Sequence, residues 1–469
     1  WVEAFEGHPR AKTPHLDAFA ESGAVVFQNA HCAAPVCGPS RSALLSGFLP
    51  SRSGIYGNSQ NMLHSELVKT HATLPEYFSM QGYHSLSMGK IYHAHNTVSG
   101  ADKGQWDFDE WQNVGVDLTQ VTSRDKNLIQ GTPGPPSKYT QRSGSEFAWG
   151  PTRGPKEETN DYKTALWAAS QLQADHEKPF FLAVGLSKPH LPFYSPQEFF
   201  DLYDPAEFSA NEIRENDLDD ILKTNGKAKF GPTPDYLWLK ENGLIDEAAL
   251  AYMAACSYAD ACLGVIFEAL AKSPHYDNTI VMIWGDHGWH LGEKLRYRKG
   301  SGWSESTRVP LMARLPGMEE REDCFRPVNL MDLYRTLIDL CSLPEKPEID
   351  GRSFAPLLND PKMDWDFPAL TLMGERSASV VDERWRYIRY VDGVEEVYDL
   401  SKDPMEWKNL AGEDSPEVAA VKTRLGAVIP ETFAPPLEKQ SSEEKDRMKK
   451  LRKGIDKSLL EGRDLSQLR

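Results

Sequence analysis

Short apolar runs recur along the chain, and each ends in a polar turn that carries chemistry. GAVVFQNA (23–30) leads to His31 and Cys37, and GYHSLSMG (82–89) leads to Lys90 and His93. KPFFLAVGL (178–186) leads to Lys188 and His190, and NTIVMIWG (278–285) leads to Asp286 and His287. Apolar runs of this length, rich in β-branched and aromatic residues and bounded by Gly or Pro, predict strands. TLPEYFSMQ (73–81) and DEAALAYMAACSYADACLGVIFEALAKS (246–273) instead read as helices. Alternating strands and helices predict an α/β fold, a large mixed but mostly parallel sheet sandwiched by helices. Ligands of such sheets bind outside the carboxyl ends of the strands, so four chemically loaded ends should meet at one site.

Pro content rises across SLPEKPEIDGRSFAPLLNDPKMDWDFPAL (342–370), where a second unit begins. We expect a catalytic domain over 1–355, a smaller α+β subdomain with antiparallel strands over 356–435, and a charged helical or disordered tail over 436–469. Within the subdomain, ASVVDERWRYIRYVDG (378–393) and EEVYDLSKDPMEWKNLA (395–411) read as hairpin strands followed by a turn and a short helix. The Gly/Pro/Ser/Thr-rich stretch 113–156 lacks periodicity, and an aperiodic loop of that length reads as a rim over the site.

Composition narrows the partners. The 469 residues carry a net charge of −17, which argues against nucleic acid or an anionic membrane as a general partner. No apolar run approaches the ~18 residues of a membrane span. The six cysteines show no paired metal spacing and no full disulfide framework.

The densest stretch is APVCGPSRSALLSG (34–47). Pro39 suits the first turn of a helix and Gly47 its end, so Cys37 should sit just ahead of a helix N-terminus, close to Arg41. Dipoles and guanidinium would both favour an anion there, although a buried cap-region thiol fits the same residues. The loaded turns add Lys90, Lys299, His93, His190 and His287, with Asp286 as a carboxylate. Several cations with a few imidazoles suit a group with spread oxygen charge, such as a sulfate or phosphate ester. Asp286–His287 suggests metal ligands, with oxygen suited to calcium or magnesium, but also reads as a plain turn. Lys90 and Lys299 have solvated-turn readings, and His190 a structural one.

CGPSRSALLSG resembles the sulfatase signature, Cys or Ser followed by x-Pro-Ser-Arg and a Leu-x-Gly-type end. A phosphatase-type cysteine loop spaces its Cys and Arg more widely. TPHLDAFAESG, MGKIYH, GDHGWHLGE, ESTRVPL and EVYDLSKDPMEWKNLA follow the family's order, and the resemblance extends to about Ala411. GLSKPHLPF together with Asp-His-Gly-Trp looks most like the iduronate-2-sulfatase branch of this alkaline-phosphatase-like superfamily.

The resemblance implies that Cys37 is oxidised to formylglycine by a formylglycine-generating or anaerobic maturation enzyme, and that its hydrate attacks sulfur. By position, Arg41 would steady the hydrate and Lys90 would contact hydrate and sulfate. His93 would be the base that collapses the sulfated intermediate, and His190 the donor to the leaving oxygen. Lys299 would bind sulfate, and Lys188 would meet a substrate carboxylate. Asp286, His287 and residue 37 would ligate one calcium ion. The family draws two further metal-binding aspartates from a first strand, which here should precede Trp1. The implied substrate is a sulfated carbohydrate, attacked from its end at a 2-O-sulfated uronate or related unit, in a periplasmic or extracellular setting. A phosphate or phosphonate monoester hydrolase and an inactive sulfated-glycan binder are the alternatives.

Overall fold

The computed structural model describes residues 2–60, 62–93, 107–112 and 147–438. Most of the expected rim, from 113 to 146, and the tail from 439 lie outside the described residues. The strands that frame the site are β1 (Val25–Phe27), β2 (His84–Gly89), β3 (Glu110–Gln112), β4 (Phe180–Gly185), β5 (Val281–Trp284), β6 (Leu311–Arg314) and β7 (Glu322–Cys324). The helices are α1 (Pro14–Glu21), α2 (Cys37–Ser46), α3 (Leu74–Met80), α4 (Asn160–Gln173), α5 (Ile245–Ala271) and α6 (Asp332–Leu340). Each of the four apolar runs forms a strand that ends just before its loaded turn.

These strands form two strips, ordered β7-β1-β6-β5 and β3-β2-β4. The second is parallel throughout; in the first, β7 runs parallel to β1, and only β6 is reversed. Alternate residues of the edge strands β4 and β5 face the same two layers. Phe180, Leu182 and Val281 lie with Leu172 and Leu270 of α4 and α5, whereas Phe181, Ala183 and Met282 face the cluster containing Leu44, Leu45 and Tyr334. The strips therefore belong to one helix-covered α/β layer. Among the described residues neither facing edge has a second ladder partner, and both strands are half-buried along most of their length.

Local chemistry explains the helices that carry the site. Pro39 sits in the first turn of α2, and Gly47 ends it at φ 76°, where a Cβ would lie 2.7 Å from Ile349 Cγ2. A reciprocal Thr73–Glu76 capping box starts α3. α5 corrects one expectation: by length and composition it could cross a bilayer, with a mean hydropathy of 1.5 over its best window. Its alanines and cysteines are spent instead on packing, and 67% of that window is buried. All six cysteines are free thiols.

The C-terminal unit is an antiparallel meander, β8 (Ala369–Gly374), β9 (Ser377–Val381), β10 (Trp385–Arg389) and β11 (Glu395–Asp399), with α7 (Pro416–Gly426) on one face. Leu372, Val380, Tyr387, Val397 and Leu425 fill its core. The short helix expected directly after β11 comes later, as α7. Turns occupy the intervening segment, and Glu406 adopts φ 58° within it.

Candidate active site

Cys37 is 1% exposed and opens α2 after the extended residue Val36. Its Sγ lies 2.8 Å from Lys299 Nζ and 3.0 Å from His287 Nε2. Lys299 Nζ is also 2.9 Å from His287 Nε2 and 3.4 Å from His190 Nε2. Residues from the start of α2, the end of β5, the loop after β4 and the loop after Arg298 thus meet within hydrogen-bonding distance.

Arg41 holds this assembly from behind. Its Nε donates to Asp286 Oδ2 at 2.7 Å, and its Nη1 donates to the Lys90 and Ile91 carbonyls at 2.6 and 2.7 Å. One guanidinium therefore ties α2, the end of β5 and the end of β2 together. Ser40 Oγ donates to the Asp286 carbonyl, and Asn58 Oδ1 accepts the Gly38 N–H at 2.7 Å. Nothing in the pattern around Asn58 points to that contact.

The charges are strongly coupled. Burial, the largest single influence on Cys37, pushes its thiol up, and Asp286 adds to that; the cations Lys90, His287 and Lys299 outweigh both and hold it well below the usual thiol range. Asp286 follows the same balance: burial raises it, and Arg41, His287, Lys90 and Lys299 pull it well below the usual carboxylate range. Burial lowers the Lys90 ammonium, with Cys37 opposing. His93 is lowered to about 4, first by burial and then by Lys90 and Arg41, against Cys37. His190 is likewise lowered to about 4 by burial, Lys90 and Lys299. Both imidazoles are neutral at neutral pH.

Backbone carbonyls set two tautomers, because a carbonyl can only accept. His287 Nδ1 donates to the Gly288 carbonyl at 2.8 Å, and His190 Nδ1 donates to the Leu191 carbonyl at 2.7 Å. His190, being neutral, therefore turns the lone pair of its Nε2 toward Lys299. Donor atoms of Cys37, Asp286 and His287 all lie within 4.8 Å of one another, a set that fits a divalent cation. Asp286 is held ionised, as a metal ligand must be, although a hard cation would prefer an oxygen at position 37 to a thiol. Calcium takes about six to eight oxygens, more than these three residues supply.

Lys188 lies in the same loop as His190. It is 6% exposed, and its Nζ donates to the carbonyls of His190 and Pro192 at 3.3 and 2.5 Å. Its own N–H and that of Ser187 donate to Asp161. In this structure the ammonium braces the loop that presents His190. Sequence reasoning also passed over Trp289 as a contact residue, although it quoted the Asp-His-Gly-Trp motif. Its ring centroid lies 5.1 Å from Lys299 Nζ and 5.8 Å from the His190 ring, forming an aromatic wall beside both.

Comparison with known proteins bears on this geometry. Residues 3–343 match the sulfatase family, and residues 285–432 match the C-terminal region of N-sulphoglucosamine sulphohydrolase. A sulfatase of Formosa agariphila is 33% identical over 442 residues, covering 90% of this chain and 82% of that protein. Iduronate 2-sulfatase of Mus musculus is 28% identical over 401 residues, covering 74% and 68%. Among solved structures, a phosphonate monoester hydrolase of Agrobacterium radiobacter shares the fold at a TM-score of 0.68, with 22% identity over 90% of each chain.

Proposed function

We propose a substrate class and a division of labour for this chain, which belongs to the sulfatase family and is a sulfuric ester hydrolase. It acts on a sulfated carbohydrate, from the chain end, at a 2-O-sulfated uronate or a related sulfated unit. The observation that carries the sulfuryl-binding part of this reading is the convergence of Lys299 and His287 on Cys37 at 2.8 and 3.0 Å, with His190 Nε2 3.4 Å from the Lys299 ammonium. Such a nest offers cations and imidazoles to a group whose negative charge is spread over several oxygens.

As formylglycine, residue 37 would supply a hydrated aldehyde hydroxyl as nucleophile, and calcium held by Asp286, His287 and that residue would supply Lewis-acid polarisation of a sulfuryl oxygen. A formylglycine-generating or anaerobic maturation enzyme is the implied partner, and periplasmic or extracellular export the implied setting. Lys299 and Lys90 hold sulfuryl oxygens through their ammonium groups. Arg41 holds the turn and Asp286 in place. His190 rests neutral; a bound anion beside its Nε2 raises its proton affinity, and it then protonates the leaving oxygen. His93, also neutral, is free to take a proton on the opposite step. Lys188 keeps the His190 loop in register.

The test uses matured full-length protein with matched aryl sulfate and aryl phosphate, then a panel of sulfated oligosaccharides. Preferential release of sulfate, extending to a 2-O-sulfated uronate end group, is expected. Preference for phosphate would favour the phosphate or phosphonate monoester hydrolase reading, and glycan affinity without turnover would favour the inactive binder.

A further inference from the structure

The motif EVYDLSKDPMEWKNLA takes no part in the chemistry above, yet its side chains and those of the neighbouring strands reach the loop that carries Lys299. We infer that Ser379, Arg386 and Glu406 of the C-terminal unit are positioning residues for Lys299, an inference that rests on the sulfate-binding role proposed for that lysine.

Lys299 leaves a short hairpin in which His290–Leu291 pairs with Tyr297–Arg298, and the chain then runs through Gly302 and Ser304. Two side chains of the C-terminal meander bind the Gly302 carbonyl: Ser379 Oγ donates to it at 2.7 Å and Arg386 Nη1 at 3.0 Å. Glu406 Oε2 accepts the Ser304 N–H at 2.9 Å, and Glu406 Oε1 accepts from Ser304 Oγ at 3.1 Å. Arg386 Nη2 donates to that same hydroxyl at 3.0 Å, and Glu396 accepts from Trp303 Nε1 at 2.8 Å. The meander also closes on the loop by contact. A Cβ at Gly302 would lie 2.8 Å from Met373 Sδ and 3.1 Å from Ile388 Cδ1.

Arg386 and Glu406 are 1% and 0% exposed and form an ion pair with each other. Burying both charges is costly, and hydrophobic residues of the same size would stabilise the fold at least as well. What the pair supplies is direction: Arg386 Nη1 donates to Ser379 Oγ at 2.9 Å, and its other bonds, with those of the Glu406 carboxylate, go to Gly302, Ser304 and Thr307 of the loop. The far end of the loop reaches the rest of the site. The Ser306 carbonyl accepts the Gly288 N–H at 3.0 Å, next to His287, and the Thr307 carbonyl accepts the Cys32 N–H at 2.9 Å, on the way to Cys37. Arg386 Nη1 donates to Thr307 Oγ1 at 3.1 Å, so one guanidinium binds both ends of the segment. A displaced loop would move the Lys299 ammonium relative to His287, His190 and residue 37, and a shift of about 1 Å in a reacting assembly can cost about a hundredfold.

The experiment uses matured full-length protein, an activated aryl sulfate as substrate and inorganic sulfate as inhibitor. Ser379→Ala, Ser304→Ala and Arg386→Lys are each made alone and with Lys299→Ala. Each alone should lower kcat/KM by roughly tenfold, weaken inhibition by sulfate in proportion, and lose nothing further in the Lys299→Ala background. Thermal midpoints are read alongside; should Arg386→Lys fail to fold, the two serine variants decide. Wild-type kinetics in the folded variants, or losses that multiply with Lys299→Ala, would overturn the inference alone. A Lys299→Ala protein with undiminished turnover would overturn the sulfate-binding reading and the inference with it.

Discussion

Replacing Lys299 by methionine keeps the length and apolar stem of the side chain and removes only the ammonium. In the structure that ammonium is 2.8 Å from Cys37 Sγ, 2.9 Å from His287 Nε2 and 5.1 Å from the Trp289 ring centroid. It is thus a preorganised charged donor in a partly dry site, where removal of one comparable donor costs ~2.7–4 kcal/mol, about 10²- to 10³-fold in rate. The fall should appear mainly in kcat, because charge on the sulfuryl oxygens and leaving oxygen grows on the way to the transition state. The methionine should also let the His190 pKa rise from about 4, since Lys299 is among the groups depressing it. The rise should be partial, because burial and Lys90 remain as its larger causes. The assay is kcat and KM for matured protein over a series of aryl sulfates, with His190 followed by NMR titration. A loss below about threefold in kcat/KM, with His190 unmoved, would refute the placement of Lys299 at the reacting group.

Cys37→Ala should abolish turnover while lowering stability by only ~1 kcal/mol or so, since a single buried sulfur is lost; calorimetry and single-turnover assays check both halves. His190→Ala should harm substrates with poor leaving groups far more than activated aryl sulfates, and equal losses across a leaving-group series would count against a proton-donor role. Lys188→Met leaves the His190 and Pro192 carbonyls without their charged donor, so it should cost ~2–4 kcal/mol in stability by denaturant titration. KM should rise for uronate-containing but not for neutral sulfated sugars; no difference between the two would count against the uronate reading. Gly302→Ala should destabilise by ~1–3 kcal/mol through overpacking against Met373 and Ile388, visible as a lower Tm.

The strand ends were legible because an apolar run followed by a charged turn is a local signal, and β1, β2, β4 and β5 all end where such runs do. The meeting of Cys37, His190 and His287 could be expected from topology, since strands of one helix-covered sheet deliver their carboxyl ends to a common edge, whereas Lys299 follows a separate two-stranded hairpin and its place was implied by the resemblance. The direction of an individual side chain was not legible. Lys188 and Lys299 are both lysines in loaded loops, yet one ammonium turns into its own loop's carbonyls and the other into the site. The difference is made by partners far away in the chain: Asp161 gathers the amides of Ser187 and Lys188, while Ser379, Arg386 and Glu406 gather the loop after Lys299. Contacts separated by 26 to 102 residues leave no periodicity to read. The same holds for α5, whose composition suits lipid until the residues packed around it are known. In this fold local pattern sets where reactive groups can emerge, and long-range hydrogen bonds from structural elements select which of them face the reaction.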